Sequence, residues 1–258
     1  MSIRQIAAAL NLLHNEPLRA FLSDQEVQAL EIEDEKKLSF FDPRRLLEVL
    51  HPTQVQQRIE QLPAKAFFEQ IYKEALPEKI KIVFLNKIFT NPEDRAIPEK
   101  PQAARLSFLL GKPLEYYENL FVCIGCHSLA ASLRQVISKK QIDQVLSALQ
   151  PLCKRYLRNL LFSPKRFSVE PLSVKVATCT PDELRTTLKN KGLKVFQKLL
   201  QQQESEFRWY FFRQGDVALC NLVKTDEVKS DEKLPLPNAE KWVDAICDIE
   251  RYISHASV

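Results

Sequence analysis

The sequence predicts a mainly α-helical protein, with a compact multi-helix domain and short extended segments or a small hairpin toward the C-terminus. Three observations predict it. The 258 residues hold only 4 Gly against 15 Pro, which suits helices punctuated by proline better than a turn-rich β protein. Apolar residues recur at helical spacing along most of the chain. Several helix starts are also written out, because Ser23–Glu26, Ser138–Gln141 and Thr180–Glu183 have the spacing in which a hydroxyl and a carboxylate or amide each satisfy an orphan backbone N–H.

The N-terminal elements follow in order. Residues 2–15 read as a helix with Ile3, Ile6, Ala7, Leu10 and Leu13 on one side, and a second helix runs from Ser23 toward Leu30. The run from Glu31 to Lys37 is a charged connection. Short helices are then expected over residues 43–50, 53–62, 63–76 and 77–89, each opened by a proline or a capping residue. Their apolar positions, such as Leu46 and Leu50, Val55 and Ile59, and Ile80 and Phe84, suit antiparallel hairpins that bury one another. Residues 90–105 carry three prolines and several charges without apolar periodicity, which reads as a linker. The expected division is therefore 1–100 and 101–258.

The second region is organised around residues 113–162. From Leu120 to Ile137 the sequence is apolar on nearly every side, and a helix apolar all round is buried by its neighbours. Ile142, Val145, Leu146 and Leu149 form the next stripe. Pro151 suits a first helical position, and Cys153, Tyr156, Leu157, Leu160 and Leu161 follow as a third. Beyond Phe162, Leu172, Val174 and Val176 alternate with other residues as a short extended segment. A long helix starts at Thr180-Pro181, with Leu184, Leu188, Phe196, Leu199 and Leu200 on its apolar side. Residues 207–212 and 217–223, separated by Gly215 and Asp216, are expected to pair as a hairpin, although residues 207–212 also suit the end of the long helix. Residues 224–238 read as an exposed loop, and residues 239–254 as a last helix with Trp242, Ile246, Ile249 and Ile253 in register.

Six scattered cysteines in apolar surroundings fit a reduced, cytosolic protein better than a disulfide framework. The start of the chain lacks a signal-peptide cleavage pattern, and no apolar run approaches 20 residues. The formal net charge is +4, unevenly spread. Residues 133–198 carry 14 Lys and Arg against Asp143, Glu170, Asp182 and Glu183. Such a basic middle either attracts an acidic protein, anionic lipid or nucleic acid, or is the solvated face of amphipathic helices.

The chemistry-bearing motif is Cys123-Ile-Gly-Cys126-His127, a literal C-x-x-C-H. Haem attachment needs an exposed segment and usually a second axial ligand, whereas this motif falls inside an apolar helix. A thioredoxin-type pair needs a helix N-terminus. Zinc needs further ligands, for which Cys153 is a candidate in space. Against these stands a packing reading, in which small soft cysteines and Gly125 let helices approach closely. The four histidines are dispersed, and there is neither a serine elbow nor a glycine-rich phosphate loop. The residues therefore argue against an enzyme, and no cofactor is expected. The basic middle with Phe162, Phe167, Trp209, Tyr210, Phe211 and Phe212 has the composition of a nucleic-acid surface, and equally of a core.

Two resemblances add to this reading. Residues 51–80 resemble the short helical repeat of the flagellar switch protein FliG and of the N-terminal domain of MgtE transporters, where His-Pro opens a helix and Leu-Pro closes it. His51-Pro52, Leu62-Pro63 and Leu76-Pro77 match, and the resemblance implies a helical scaffold. Residues 106–215 resemble the SctK family (YscK, PscK, OrgA) of type III secretion. There an apolar helix carries a Leu-Gly pair, which is Ile124-Gly125 in this chain, followed by an Ile/Leu-Arg and two more apolar residues. Ile124-Gly125, Leu133-Arg134 and Val136-Ile137 fall into that spacing, and Gly192-Leu193, Phe196 and Trp209 resemble a second landmark. The N-terminal region and the C-terminal tail depart from the family's extent.

The SctK resemblance implies a cytoplasmic, non-enzymatic adaptor, held peripherally at the inner membrane through the secretion apparatus. It would link the SctD-like membrane ring to the SctQ-like pod that carries SctL and the SctN ATPase. Lys154, Arg155, Arg158, Lys165 and Arg166 are the candidate contacts to an acidic partner. Gly125 and Arg134 are expected to maintain the fold, with a buried polar contact as a further reading. The alternatives are a FliG-like helical scaffold and a nucleic-acid-binding protein.

Overall fold

The computed structural model describes residues 44–61, 97–101, 104–135, 139–163, 168–172, 179–224 and 236–256. The chain divides into two compact units, Met1–Glu99 and Lys100–Val258. In the first, α1 (Arg44–Val49) and α2 (Pro52–Glu60) are described. His51 is the N-cap of α2, with Nδ1 accepting from the Thr53 N–H at 3.3 Å, and Pro52 occupies a first-turn position that needs no donor. Leu46, Leu50, Val55 and Ile59 are buried. The helices expected over residues 2–15, 23–30, 63–76 and 77–89, and both Leu-Pro closings, lie outside the described residues.

The second unit is mainly α-helical. Its helices are α3 (Leu114–Leu133), α4 (Lys139–Ala148), α5 (Pro151–Phe162), α6 (Pro181–Gln201), α7 (Ser205–Gln214), α8 (Val217–Lys224) and α9 (Ala239–Ala256). Among the described residues there is no strand. Gly111, at φ +72°, turns the chain into α3 without the strain a side chain would carry there. From Leu120 to Cys126 every residue of α3 is buried, because α5, α6, α8 and α9 all pack against it. That enclosure is what the all-round apolar sequence requires.

The closest packing joins α3 to α6. A Cβ on Gly125 would stand 2.2 Å from the Leu188 carbonyl oxygen, and one on Gly192 would stand 1.8 Å from the Phe121 carbonyl oxygen. Each glycine thus meets the other helix's backbone four residues before its partner glycine, so the helices run antiparallel with their backbones in contact. Phe121 and Phe196 pack beside the seam with ring centroids 5.3 Å apart. Tyr117 and Phe211 extend the cluster edge-on at 5.7 Å. The start of α6 is fixed by the full capping box: Thr180 Oγ1 accepts from the Glu183 N–H, and Glu183 accepts from the Thr180 N–H.

The hairpin expected over residues 207–223 is not formed. Two helices, α7 and α8, occupy that stretch. Phe207, Tyr210 and Phe211 stand at helical spacing and are all buried, a placement that alternating strand geometry would not give. The residues expected to turn a hairpin instead end one helix and start the next. The Gly215 N–H donates to the Phe211 carbonyl, and Asp216 Oδ1 accepts from the Ala218 N–H at 2.7 Å. Gln197, buried on α6, closes the end of α8 by donating to the Val223 carbonyl at 3.1 Å.

The extended segment expected from Leu172 is only partly described. The Leu172 N–H donates to Ser132 Oγ at 2.7 Å, which docks residues 168–172 on α3 without a strand. Val174 and Val176 lie outside the described residues. In α9, Trp242, Ile246, Ile249 and Ile253 are buried in the register read from the sequence. No helix among the described residues is long and apolar enough to cross a membrane.

Candidate functional site

The C-x-x-C-H motif begins in the tenth position of α3, in the most enclosed part of the unit. Cys123 and Cys126 are fully buried, and Cys153 of α5 is buried beside Cys123. The hydrogen bond between the two thiols pushes Cys123 up, with burial adding to it, and pulls Cys153 down. Burial, with the neighbouring Cys153 adding to it, raises Cys126 well above an ordinary thiol. Thiols this closed offer no approach for covalent haem attachment. The C-x-x-C pair itself, Cys123 and Cys126, sits in mid-helix, away from the N-terminus that would stabilise a reactive thiolate, whereas Cys153 stands in the first turn of α5. Among the described residues no group of three or more His, Cys, Asp or Glu is arranged to hold a metal ion.

His127, four residues after Cys123, faces α5 from the same side of α3. Its Nε2 and the Tyr156 hydroxyl share a hydrogen bond of 2.8 Å. The Trp242 ring stands edge-on to the imidazole at 5.2 Å. Burial, reinforced by the Arg134 charge, lowers the His127 pKa to about 4, so the imidazole is neutral at physiological pH and ties α3 to α5 and α9. The motif therefore packs three helices together.

The resemblance residues prove to be packing and capping groups where they are described. Ile124 and Leu133 are buried, and Gly125 and Gly192 form the α3–α6 seam. Arg134 lies on the surface, where its guanidinium donates to the Leu160 carbonyl at 2.6 Å and so satisfies an orphan acceptor in the last turn of α5. Trp209 is half-buried against Tyr210, with the Arg213 guanidinium over its ring at 5.3 Å. Val136 and Ile137 lie outside the described residues.

The surface candidates behave differently from these. Arg155 and Arg158 are exposed on α5 and Lys154 is half-buried, while Lys165 and Arg166 lie outside the described residues. Several other cations of this unit are paired. Lys189 meets Glu118 at 2.7 Å, Lys112 meets Glu250 at 3.3 Å, Lys191 meets Glu170, and Arg105 meets both Glu240 and Asp244. No carboxylate among the described residues pairs with Lys154, Arg155 or Arg158.

Phe162, in the last turn of α5, is 85% exposed and is the one large apolar side chain among the described residues left in water. The sequence reading grouped Phe162 with the other aromatics of the basic middle. Of those, Tyr210 and Phe211 are buried core, Phe212 is half-buried and Phe167 lies outside the described residues. The signal that singles out Phe162 is its position seven residues after Arg155 and four after Arg158, on the side of α5 opposite Cys153 and Leu157. Compared with protein-family models, with curated proteins and with solved structures, the chain gives no match in any of the three.

Proposed function

We propose that this protein is a non-enzymatic adaptor of a bacterial type III secretion system, linking an SctD-like inner-membrane ring to an SctQ-like pod and, through it, to SctL and the SctN ATPase. The observation that carries the adaptor reading is the outer face of α5, where cations with no carboxylate partner among the described residues stand beside an exposed phenylalanine on a helix whose other side is buried. Isolated charges in water neither stabilise a fold nor rigidify it. A row of them on a preorganised helix, next to an apolar ring, suits partner binding. The choice of the secretion apparatus rests on the resemblance of residues 106–215 alone, and the packing roles of Gly125, Gly192 and Leu133 are in keeping with it.

The test is affinity purification of the tagged full chain from its native cells in moderate salt, with mass spectrometry of the proteins retained. Recovery of SctQ-, SctD- or SctL-like proteins is the expected result. Recovery of nucleic acid with no such protein would sink the adaptor reading, and would be accompanied by affinity that falls steeply with salt.

A further inference from the structure

The geometry points to the outer face of α5 as a docking surface for an acidic helical segment of a partner protein, with Phe162 as the apolar anchor. The inference rests on the adaptor reading and adds the chemistry of the partner. At 3.6 residues per turn, Pro151, Arg155, Arg158, Asn159 and Phe162 fall within one arc of the helix, and all of them are exposed. The sequence of α5 contains no acid. Arg155 and Arg158 are three residues apart, neighbours on the helix surface where like charges repel. With no carboxylate among the described residues to answer them, that repulsion is relieved when an acidic partner binds.

Both cations are arginines, whose planar fork takes a carboxylate through two parallel hydrogen bonds. Phe162 continues the row one turn beyond Arg158. The complementary surface is therefore a pair of carboxylates about one turn apart, followed about one turn further on by a large apolar side chain that covers the ring. The opposite side of α5 is locked by Cys153, Tyr156 and Leu157, and its last turn is closed by Arg134. The face is presented ready-made, so little ordering cost attends binding. A protein segment fits better than nucleic acid, because Tyr210 and Phe211, which would extend a stacking platform, are buried.

Fluorescence anisotropy on the full chain tests this with three labelled probes: a helical peptide bearing the glutamate pair and a leucine one turn on, the same peptide with that leucine replaced by alanine, and a duplex oligonucleotide. The wild-type protein is expected to prefer the leucine peptide over its alanine counterpart by about tenfold. Phe162→Ala should erase that preference while leaving the alanine peptide bound as before. Arg155→Glu with Arg158→Glu should weaken both peptides by about tenfold or more, with an unchanged circular dichroism spectrum.

Equal binding of the two peptides, tighter binding of the oligonucleotide, or unaltered binding by the double reversal would each overturn the proposal. The native-cell purification separates its failure from that of the adaptor reading. Secretion-apparatus partners retained equally by wild type and the double reversal would remove α5 as the contact and leave the adaptor standing. Wild-type protein that retains no such partner would remove the adaptor itself.

Discussion

The α3–α6 seam and the outer face of α5 belong to the same helical unit and place their residues under opposite constraints. At the seam, Gly125 and Gly192 are needed for having no side chain, since the facing backbone already occupies the space a Cβ would take. On α5, Arg155, Arg158 and Phe162 carry large side chains that touch little of the fold. The difference separates residues that make the structure from residues that the structure displays. It also says where substitutions should act: on stability at the seam and on association at α5.

The largest expected effect is at the seam. Gly192→Ala places a methyl 1.8 Å from the Phe121 carbonyl oxygen, and backbone cannot move aside as a flexible side chain can. The helices must separate, opening the aromatic cluster of Phe121, Phe196 and Tyr117. A loss on the order of 3 kcal/mol or more is expected, read as a drop in the urea midpoint or as insoluble protein. Lys194→Ala, exposed on the same helix, should move the midpoint by less than about 0.5 kcal/mol. Equal effects of the two would erase the contrast.

The seam also shows how far the sequence can be read. Gly125 inside an apolar helix announced close approach, whereas Gly192 stood out only through the resemblance. The all-round apolar character of residues 120–137 announced a burial that is complete from Leu120 to Cys126 and ends at Leu133, since Arg134 and Gln135 are exposed. Neither says that residue 125 meets residue 188, because that pairing is set by contacts between segments distant in the chain. At residues 207–223 local chemistry was ambiguous, since a run of aromatics has strand propensity while Phe207, Tyr210 and Phe211 also satisfy helical spacing. Burial against α3 and α6 decided for helix. Candidate site residues were legible as cations, and the spacing of Arg155, Arg158 and Phe162 on the expected helix was legible with them, but only the fold shows that Phe162 stays exposed and that Arg134 serves as a cap.

The next effect in size is pH-dependent and lies between the two regions, at His127. Its pKa in the fold is about 4, lowered by burial and by Arg134, against an ordinary value near 6.5. From about pH 7.5, well above that ordinary value, the imidazole is neutral in both folded and unfolded chains and contributes no pH dependence. As pH falls from there toward 4 the unfolded chain takes up the proton first, so stability declines. His127→Gln should flatten that part of the curve, measured as urea midpoints between neutral pH and about 5. Parallel curves for the two proteins would mean that His127 is not held neutral against Tyr156 and Trp242.

A smaller effect belongs to the cap that starts α6. Thr180→Ala removes the acceptor of the Glu183 N–H while Glu183 keeps its bond to the Thr180 N–H. The expected loss is about 1 kcal/mol, read by thermal denaturation, and it should leave peptide binding at α5 untouched. A change in binding would mean that the α6 start and the α5 face are coupled.

The smallest stability effect should come from the largest change in charge. Arg155→Glu with Arg158→Glu turns a doubly positive face doubly negative, yet neither arginine has an ion pair among the described residues to lose. The i,i+3 repulsion is the same for two glutamates as for two arginines. The helix dipole disfavours an acid near the end of α5 by a few tenths of a kcal/mol. The unfolding midpoint should therefore move by no more than about 0.5 kcal/mol, while association with the acidic peptide is lost. A large drop in stability would show that these side chains hold the fold after all, and the distinction between the seam and the α5 face would then have to be abandoned.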